Sequence, residues 1–431
     1  MRRLLLSAAL AACLPVSAFA QDAATEPTPQ SIALELFGAA NTYIGSGDYE
    51  SAKRTLEAAL DLKPGHVAIM RGLFIVAQRA EIPEDAFHAL ERMADAGITY
   101  DASSAAEWLN SVDASRFTAV TNRLAANAAP AGRADRFAVV DQPDALIEGV
   151  AMDIETDRLF LSSVAQRQIL MLEPFARDEP IVFADESDGL WSVFGLAVDD
   201  RSRMVWAASG TVPQTPLREG EEGGTALFAF DLMTGDLYRR YEIDGAVQVA
   251  DFVVRDGIVY VSDTRAPRIY TLNSLSGRLE VLVEDPRFVN LQGLALSRGA
   301  LYAADYAMGI WRIDLGDGSV SLVRPGADSL IGIDGLLNTR DGHLIAVRNG
   351  TPPHQLMRID LDREGRAVRS VDVLLRGHPD MAGNTEPTLV DVADGRAWLV
   401  ANAAWPLFPE DGSVPDEPRP STVILELDLP Q

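Results

Sequence analysis

The sequence predicts a mainly β protein, a six-bladed β-propeller over residues 136–431 that follows an α-helical domain over residues 31–126. Two observations support this. A short sequence motif recurs six times after residue 136, and each copy is followed by short strands of alternating polarity. Before residue 127 the apolar residues have a helical period and repeat every 34 residues. Repeats of these lengths are typical of propeller blades and of stacked helical hairpins.

The first 20 residues have the features of a secretory signal peptide. Arg2 and Arg3 precede a short apolar run, and Ala18-Phe19-Ala20 forms a small-residue cleavage site before Gln21. They predict a periplasmic or secreted protein. One alternative stays open, because Leu10-Ala11-Ala12-Cys13 resembles a lipobox and would make the protein a lipoprotein anchored through Cys13.

Composition excludes several functional classes. The formal net charge is −26, so the protein should repel nucleic acid and anionic membranes. No apolar stretch is long enough to predict a transmembrane helix. Cys13 is the only cysteine, so cleavage after Ala20 leaves a mature chain without disulfides, catalytic thiols or cysteine-bound zinc.

A linker over residues 21–30 leads into the helical domain. Its 34-residue repeat pairs Ala52 with Ala86, Leu56 with Leu90 and Ala59 with Met93. A third helical pair is predicted over residues 102–112 and 115–127, with Asp113 as the N-cap of its second helix. A small-residue linker over residues 127–135 then ends the domain.

The first helical unit resembles a tetratricopeptide repeat. The matching residues are Tyr43, Gly47-Asp48-Tyr49, Ala52, Ala59-Leu60 and Pro64. Gly47 permits a tight turn between the helices and Pro64 ends the second one. The second unit departs from the pattern at Glu81-Ile82-Pro83. The resemblance implies a protein or peptide partner for residues 31–126; the alternative is a structural appendage that packs on the propeller.

The motif after residue 136 consists of a polar residue, often glycine next, and then a small apolar run. Its copies begin 41 to 57 residues apart, which is the length of a four-stranded blade. Residues 136–140 are predicted to pair with residues 422–427, so that the two ends of the domain close the last blade. The six copies begin at Glu148, Phe194, Asp251, Gln292, Asp334 and Glu386.

The first strand of each propeller blade lines the central channel, so these six residues are predicted to form a ring at one mouth. Four of them are carboxylates, and ionised carboxylates that share a cleft repel one another strongly. Either a hard divalent cation such as Ca²⁺, Mg²⁺ or Mn²⁺ relieves the repulsion, or some of the acids are protonated. The alternative is a structural ring whose members cap neighbouring strands or bind water.

The motifs Glu148-Gly149, Gln292-Gly293-Leu294 and Asp334-Gly335 resemble the first-strand signatures of the gluconolactonase, senescence-marker protein and luciferin-regenerating enzyme family. More distant similarity is to paraoxonase-like arylesterases and strictosidine-synthase-like propellers. The resemblance covers residues 136–431. It implies hydrolysis of lactones or esters with a divalent metal, most often Ca²⁺, held by Glu148, Gln292 and Asp334. Asp251 stands where the family has an asparagine, and Glu386 is a further acid; either is a candidate catalytic base.

Other residues are candidates for the same pocket. Strand ends facing the channel supply Asp305, Arg348 and Asn349, and a nearby loop supplies His354, as candidate substrate-binding residues. Two long loops, residues 211–225 and 405–421, either cover the pocket mouth or are solvated. The sequence contains no HExxH, GxSxG or Walker motif.

Two functions follow from these predictions. The first is an exported, metal-dependent hydrolase of a lactone or related ester, active at the channel mouth. The second is a non-enzymatic periplasmic binding or scaffold protein, in which the helical repeats engage protein partners and the propeller takes a ligand.

Overall fold

In the computed structural model, residues 27–255, 257–273, 276–411, 413 and 416–430 are described. The predicted signal peptide, with Cys13, lies outside these residues. Within them, no helix is long and apolar enough to span a membrane. The described chain is a helical domain followed by six four-stranded sheets, so the predicted fold class is confirmed.

The helices form successive antiparallel hairpins that bury small and branched side chains. Thr28 caps the first helix, and Gly47 ends it in the left-handed conformation with φ of 80°. The Asp113 carboxylate accepts a hydrogen bond from Arg116 N at 2.9 Å where the last helix is interrupted, which confirms it as an N-cap. The helices are α1 (Pro29–Ser46), α2 (Tyr49–Leu62), α3 (Val67–Arg79), α4 (Pro83–Asp95) and α5 (Ala106–Ala126).

The six sheets are the blades of the propeller, and the first strand of each blade contacts the first strands of its two neighbours around a closed ring. Blade 1 comprises β2 (Ile147–Asp153), β3 (Arg158–Ser163), β4 (Gln168–Glu173) and β5 (Ala176–Ala184). Blade 2 comprises β6 (Ser192–Asp199), β7 (Met204–Gly210), β8 (Thr225–Asp231) and β9 (Leu237–Glu242). Blade 3 comprises β10 (Val249–Arg255), β11 (Ile258–Asp263), β12 (Arg268–Asn273) and β13 (Arg278–Glu284).

The remaining three blades continue the same up-and-down order. Blade 4 comprises β14 (Leu291–Ser297), β15 (Ala300–Asp305), β16 (Gly309–Asp314) and β17 (Val320–Leu322). Blade 5 comprises β18 (Ile333–Asn338), β19 (Leu344–Arg348), β20 (Gln355–Leu361) and β21 (Val368–Arg376). Blade 6 comprises β22 (Val390–Ala393), β23 (Arg396–Val400), β24 (Thr422–Asp428) and β1 (Asp135–Val140).

Blade 6 closes the ring by joining the two ends of the domain. β1 pairs antiparallel with β24, with Val140 opposite Thr422 and Arg136 opposite Leu425. This confirms the predicted closure. Each strand thereby gains neighbours without leaving a long unpaired edge inside the ring.

The helical domain packs against blade 5 and the linker that precedes β1. Ser329 Oγ donates a hydrogen bond to Gly65 O at 2.9 Å, and Arg348 Nη2 donates to Gly97 O at 3.4 Å. Arg376 Nε donates to Ala129 O at 2.7 Å. The short helical array therefore buries one side against the propeller, as expected for an array with few repeats.

Five of the six inner strands carry a β-bulge at the same place. In blade 1, Ile147 pairs with Ser163 and Val150 with Leu161, so Glu148 and Gly149 together face Ser162. The same shift occurs in β6, β10, β14 and β18. A bulge turns a side chain away from the regular pleat and bends the strand. Here it falls on the residues that line the mouth of the channel.

In blades 1, 2, 4 and 5 the glycine in the bulge is required because neighbouring inner strands approach closely. A Cβ on Gly293 would lie 2.8 Å from Asp334 O and even closer to Leu336 N in the next blade. Backbone atoms cannot move aside as the end of a flexible side chain can. The recurring glycine of the sequence motif is therefore explained by strand-to-strand packing.

We predict that Gly293→Ala destabilises the propeller by about 3 kcal/mol or more, since the added methyl group overlaps backbone. Gly316→Ala is the matched control, because Gly316 lies in an exposed turn of the same blade and a Cβ there meets only the Asp314 carboxylate, at 3.2 Å. Urea unfolding of both variants checks the difference. Equal stability of the two variants would contradict the packing argument.

Candidate functional site

The ring predicted from the sequence agrees with the structural register in four blades. Glu148, Phe194, Gln292 and Asp334 each occupy the first position of a bulge in blades 1, 2, 4 and 5. They lie at one mouth of the channel, on adjacent inner strands.

The register differs in blades 3 and 6. In blade 3 the bulge comprises Ala250 and Asp251, so Ala250 holds the ring position and Asp251 replaces the glycine. In blade 6 the ring position is held by Thr388. A Cβ on Gly335 would lie 3.0 Å from Thr388 O, just as one on Gly195 would lie 2.8 Å from Ala250 O. Glu386 stands two residues earlier and pairs with Ala403. The alignment of these two copies from sequence was wrong because it matched acid with acid, whereas strand pairing sets the register.

The four carboxylates nevertheless share one environment. The charges of Asp334, Glu386 and Asp251 raise the pKa of Glu148. The charges of Asp251 and Glu386 raise the pKa of Asp334. All four side chains are half-buried, facing the channel. The Asp251 side chain uses space that is open because Gly195 has no Cβ. Asp251 Oδ1 lies 2.7 Å from the position that a Cβ on Gly195 would occupy. We call Glu148, Asp251, Asp334 and Glu386 the acid cluster.

Burial raises the pKa of every member, and repulsion from neighbouring acids adds to it at Glu148 and Asp334. Burial raises the pKa of Asp251 to about 7 and that of Glu386 to about 7. For Glu148 burial is the largest cause and the charge of Asp334 the next, and together they hold its pKa well above the usual range. Asp334 follows the same pattern, with burial first and Asp251 second. At neutral pH the acid cluster therefore retains protons.

Neutral donors stabilise the ionised forms of two members. The Trp405 indole N–H donates a hydrogen bond to Glu148 Oε2. Asn349 Nδ2 donates to Asp334 Oδ2 at 2.7 Å and to Pro387 O at 2.9 Å. Both contacts favour the carboxylate and partly oppose the upward shift of its pKa.

One buried polar atom at the acid cluster has no hydrogen-bond partner among the residues that the structure describes. Asn349 is only 5% exposed, and no donor from this part of the chain reaches its Oδ1. A buried carbonyl oxygen without a donor costs free energy unless water or a cation meets it. Beside the Asp334 carboxylate, it forms an oxygen donor set of the kind that Ca²⁺ or Mg²⁺ prefers. Within the described ranges, however, no three Asp, Glu, His or Cys side chains lie close enough together to hold a metal ion.

The predicted substrate-binding residues lie in different places. Asn349 is at the acid cluster. Arg348, the preceding residue, is 1% exposed and points instead toward the helical domain, where its Nη2 donates to Gly97 O at 3.4 Å. Its Nη1 donates to Ser329 O, within the propeller, at 3.1 Å. His354 is half-buried nearby, and burial followed by the charge of Arg348 lowers its pKa.

Asp305 holds a loop together beneath the mouth. Its carboxylate accepts hydrogen bonds from the backbone N–H of Val289 at 2.8 Å and of Ala307 at 3.1 Å, and from Trp311 Nε1 at 3.0 Å. Asp263 makes the equivalent contacts in blade 3. The substrate-binding roles of Arg348, Asp305 and His354 stay predictions.

Two further residues belong to the site. Tyr306 follows Asp305 at a channel-side strand end, a position that the repeat pattern indicates; burial, then the charges of Asp334 and Glu386, raise its pKa. Trp405 stands at the start of a long loop, far in sequence from Glu148, and its contact with Glu148 had no signal in the sequence.

Parts of both long loops cover one side of the mouth. Gln214 Nε2 donates to Phe408 O at 2.9 Å and joins the two loops. The Arg419 guanidinium lies 3.8 Å from the ring centre of Phe408, and its Nε donates to Leu407 O at 3.0 Å. Of the two alternatives for these loops, the described segments favour a cover. We call the apolar cluster that they complete the apolar roof; it comprises Leu146, Val164, Ala165, Phe194, Val212, Ala250, Ala404, Trp405, Leu407 and Phe408.

Comparison with known proteins finds structural neighbours and no family. No model of a known protein family matches the chain, and no curated protein matches it either. Among solved structures, a gluconolactonase from Xanthomonas campestris is 18% identical and covers 71% of this chain and 93% of its own, with a TM-score of 0.45. A luciferin-regenerating enzyme is 12% identical, over 70% of this chain and 96% of its own, with a TM-score of 0.46.

A virginiamycin B lyase from Staphylococcus aureus is as similar, at 11% identity over 68% of this chain and 99% of its own, with a TM-score of 0.45. At these identities and TM-scores the likeness carries no argument about the activity of this chain. The chemistry at the mouth must therefore be argued from the residues themselves.

The raised pKa of Asp251 predicts that stability falls as the pH rises. The folded protein holds the proton of the Asp251 carboxyl group up to about pH 7, whereas the ordinary pKa of this side chain is 3.8. The protonated side chain therefore contributes fully to the free energy of unfolding below about pH 4, and this contribution is lost as the pH rises through 7. Each unit of difference between the folded and unfolded pKa corresponds to about 1.4 kcal/mol. We expect Asp251→Asn to be more stable than the wild type at about pH 8, by roughly 1–3 kcal/mol.

Urea unfolding over a pH series, in the presence of a chelator, measures this effect. Asp178→Asn is the control, because Asp178 is an exposed acid on β5 and its loss removes the same formal charge from a strongly acidic protein. If both variants gain the same stability at every pH, the gain comes from net charge and the buried-acid argument is wrong.

Proposed function

We propose that the chain is a hydrolase of lactones or related esters that acts at the acid cluster. The observation that carries the proposal is a set of four carboxylates at one channel mouth, two of them with a pKa of about 7. A carboxyl group with a pKa near the working pH is suited to accept a proton from water and to return it. Such pKa shifts also cluster at functional sites.

The proposed reaction needs two proton transfers. Asp251 or Glu386, in its ionised form, accepts a proton from water while the water oxygen adds to the substrate carbonyl carbon. The carbon–oxygen bond of the ester then breaks, and the leaving alkoxide takes up the proton from the same carboxyl group. Tyr306 keeps its proton at neutral pH because its pKa is raised, so its hydroxyl is able to donate to the developing oxyanion.

We further propose that the site binds a divalent cation, Ca²⁺ in the first place, with Mg²⁺ or Mn²⁺ as alternatives. Asp334 and the unpartnered Asn349 Oδ1 fit it best, with Glu148 and Gln292 as further oxygen ligands. When bound, the cation would polarise the substrate carbonyl and offset the repulsion within the acid cluster. We further propose export through residues 1–20, which makes the enzyme periplasmic or secreted.

We predict that the purified chain hydrolyses at least one member of a lactone and ester panel, and that a chelator removes this turnover. Asp251→Asn and Glu386→Gln separate the two candidate bases, and the one that acts as base should lose about 10²–10⁴-fold in kcat. Asp178→Asn should behave as wild type. Turnover that survives both base variants and the chelator would contradict the proposed chemistry.

A second candidate function rests on the helical domain. A groove of about 170 Å³ lies between α2, α3 and α4, with an apolar floor that includes Leu73, Val76 and Ala89. Charged side chains stand at its rim, and Lys53 pairs with Asp85 at 2.7 Å. A groove of this composition suits a segment of a protein partner, in keeping with the tetratricopeptide-like pattern of residues 31–126.

We predict that Ile82→Asp, at the rim of this groove, removes a specific partner that wild-type protein captures from envelope extract. Ile82 is 41% exposed, so the change should leave the fold intact. Leu34→Asp is the control, since Leu34 is a comparably exposed apolar residue on α1 outside the groove. Capture that is equal for both variants would argue against the groove.

A further inference from the structure

The mouth of the channel has two chemically different sides. Around Asp334 the neighbouring side chains are polar, including Asn349, Glu386 and Tyr306. On the side of blades 6, 1, 2 and 3, the acid cluster adjoins the apolar roof. Six of the ten roof residues are at most 7% exposed and form its packed interior. A substrate bound at the acid cluster would meet the half-buried members of the roof, which are Ala165, Val212, Ala250 and Trp405.

Direct contacts join the apolar roof to the acid cluster. Trp405 belongs to the roof and donates its indole N–H to Glu148. Phe194 holds the ring position next to Glu148, and Ala250 holds the one after it. No residue of the roof carries a side-chain hydrogen-bonding group except Trp405, whose only donor is already used.

These contacts decide which substituents the site tolerates. A hydroxyl group placed against the roof gives up its hydrogen bonds to water and gains none from the protein, which is unfavourable. An alkyl or aryl group placed there loses contact with water and gains apolar contact, which is favourable. A polyhydroxylated sugar lactone would need partners on both sides of the mouth.

We propose that the substrate is a lactone or ester with an apolar substituent of several carbons, which packs beneath the apolar roof while its carbonyl group faces the acid cluster. This inference rests on the proposed hydrolase function and deepens it. Ala250 and Trp405 are its specificity-determining residues, because both are half-buried members of the roof, whereas Phe194 is 3% exposed and packs within it. Trp405 matters most, because it is half-buried and adjoins a carboxylate.

The test compares kcat/KM for γ-lactones with alkyl chains of increasing length with that for glucono-δ-lactone. For the wild type we expect kcat/KM to rise by roughly threefold to fourfold per methylene group until the roof is filled. Trp405→Phe keeps an apolar ring without the indole donor and should preserve this rise. Trp405→Gln keeps an N–H donor but removes the ring, and should flatten the rise.

Ala250→Ser provides a milder variant if Trp405→Gln fails to fold, as judged by its melting temperature. It adds one hydroxyl group at a half-buried ring position and should lower kcat/KM for the longest lactone more than for γ-butyrolactone. A flat dependence on chain length in the wild type, or a preference for glucono-δ-lactone, would overturn the inference while leaving the hydrolase function standing.

If no lactone is turned over, a binding measurement distinguishes the hydrolase function from the preference for an apolar substituent. Calorimetric titration with the same alkyl lactones should then show affinity that rises with chain length in the wild type and not in Trp405→Gln. Such a result would refute the hydrolase function and support the apolar site. Absence of both turnover and binding would overturn both.

Discussion

Close packing of the six inner strands around the channel is the constraint on which the site depends. Because Gly293 must lie against the backbone of the next blade, the strand bulges there, and the bulge turns the preceding side chain toward the mouth. Repeating this device around the ring collects residues that are far apart in sequence. Packing of the scaffold thus also brings Glu148 and Asp334, two of the four members of the acid cluster, to the mouth.

Collecting four acids at one mouth has an energetic cost. Their partners in the structure are neutral donors, Trp405 and Asn349, which offset only part of the burial and repulsion. The cluster consequently stays partly protonated near neutral pH. Burying these acids lowers the stability of the protein but gives them pKa values suited to proton transfer near neutral pH. Such a trade-off is common where ionisable groups are held away from water for function.

The architecture was predictable from the sequence because it repeats. Six copies of one motif specify the blade number, and the apolar strand at residues 136–140 identifies the partner that closes blade 6. Exact register was not predictable where a copy departs from the pattern: Asp251 resembles a ring residue but occupies the glycine position. The contact of Trp405 with Glu148 joins a loop to a distant strand, and no local pattern encodes such a pair.

The end of strand β19 serves two parts of the molecule at once. Arg348 reaches the helical domain through Gly97 O, and Asn349, the next residue, holds Asp334 at the channel mouth. Successive residues of an extended chain point to opposite sides, so one short segment is shared by the domain boundary and the chemistry. The two surfaces are therefore coupled: a sequence change that alters how the two domains meet also moves the side chain that donates a hydrogen bond to Asp334.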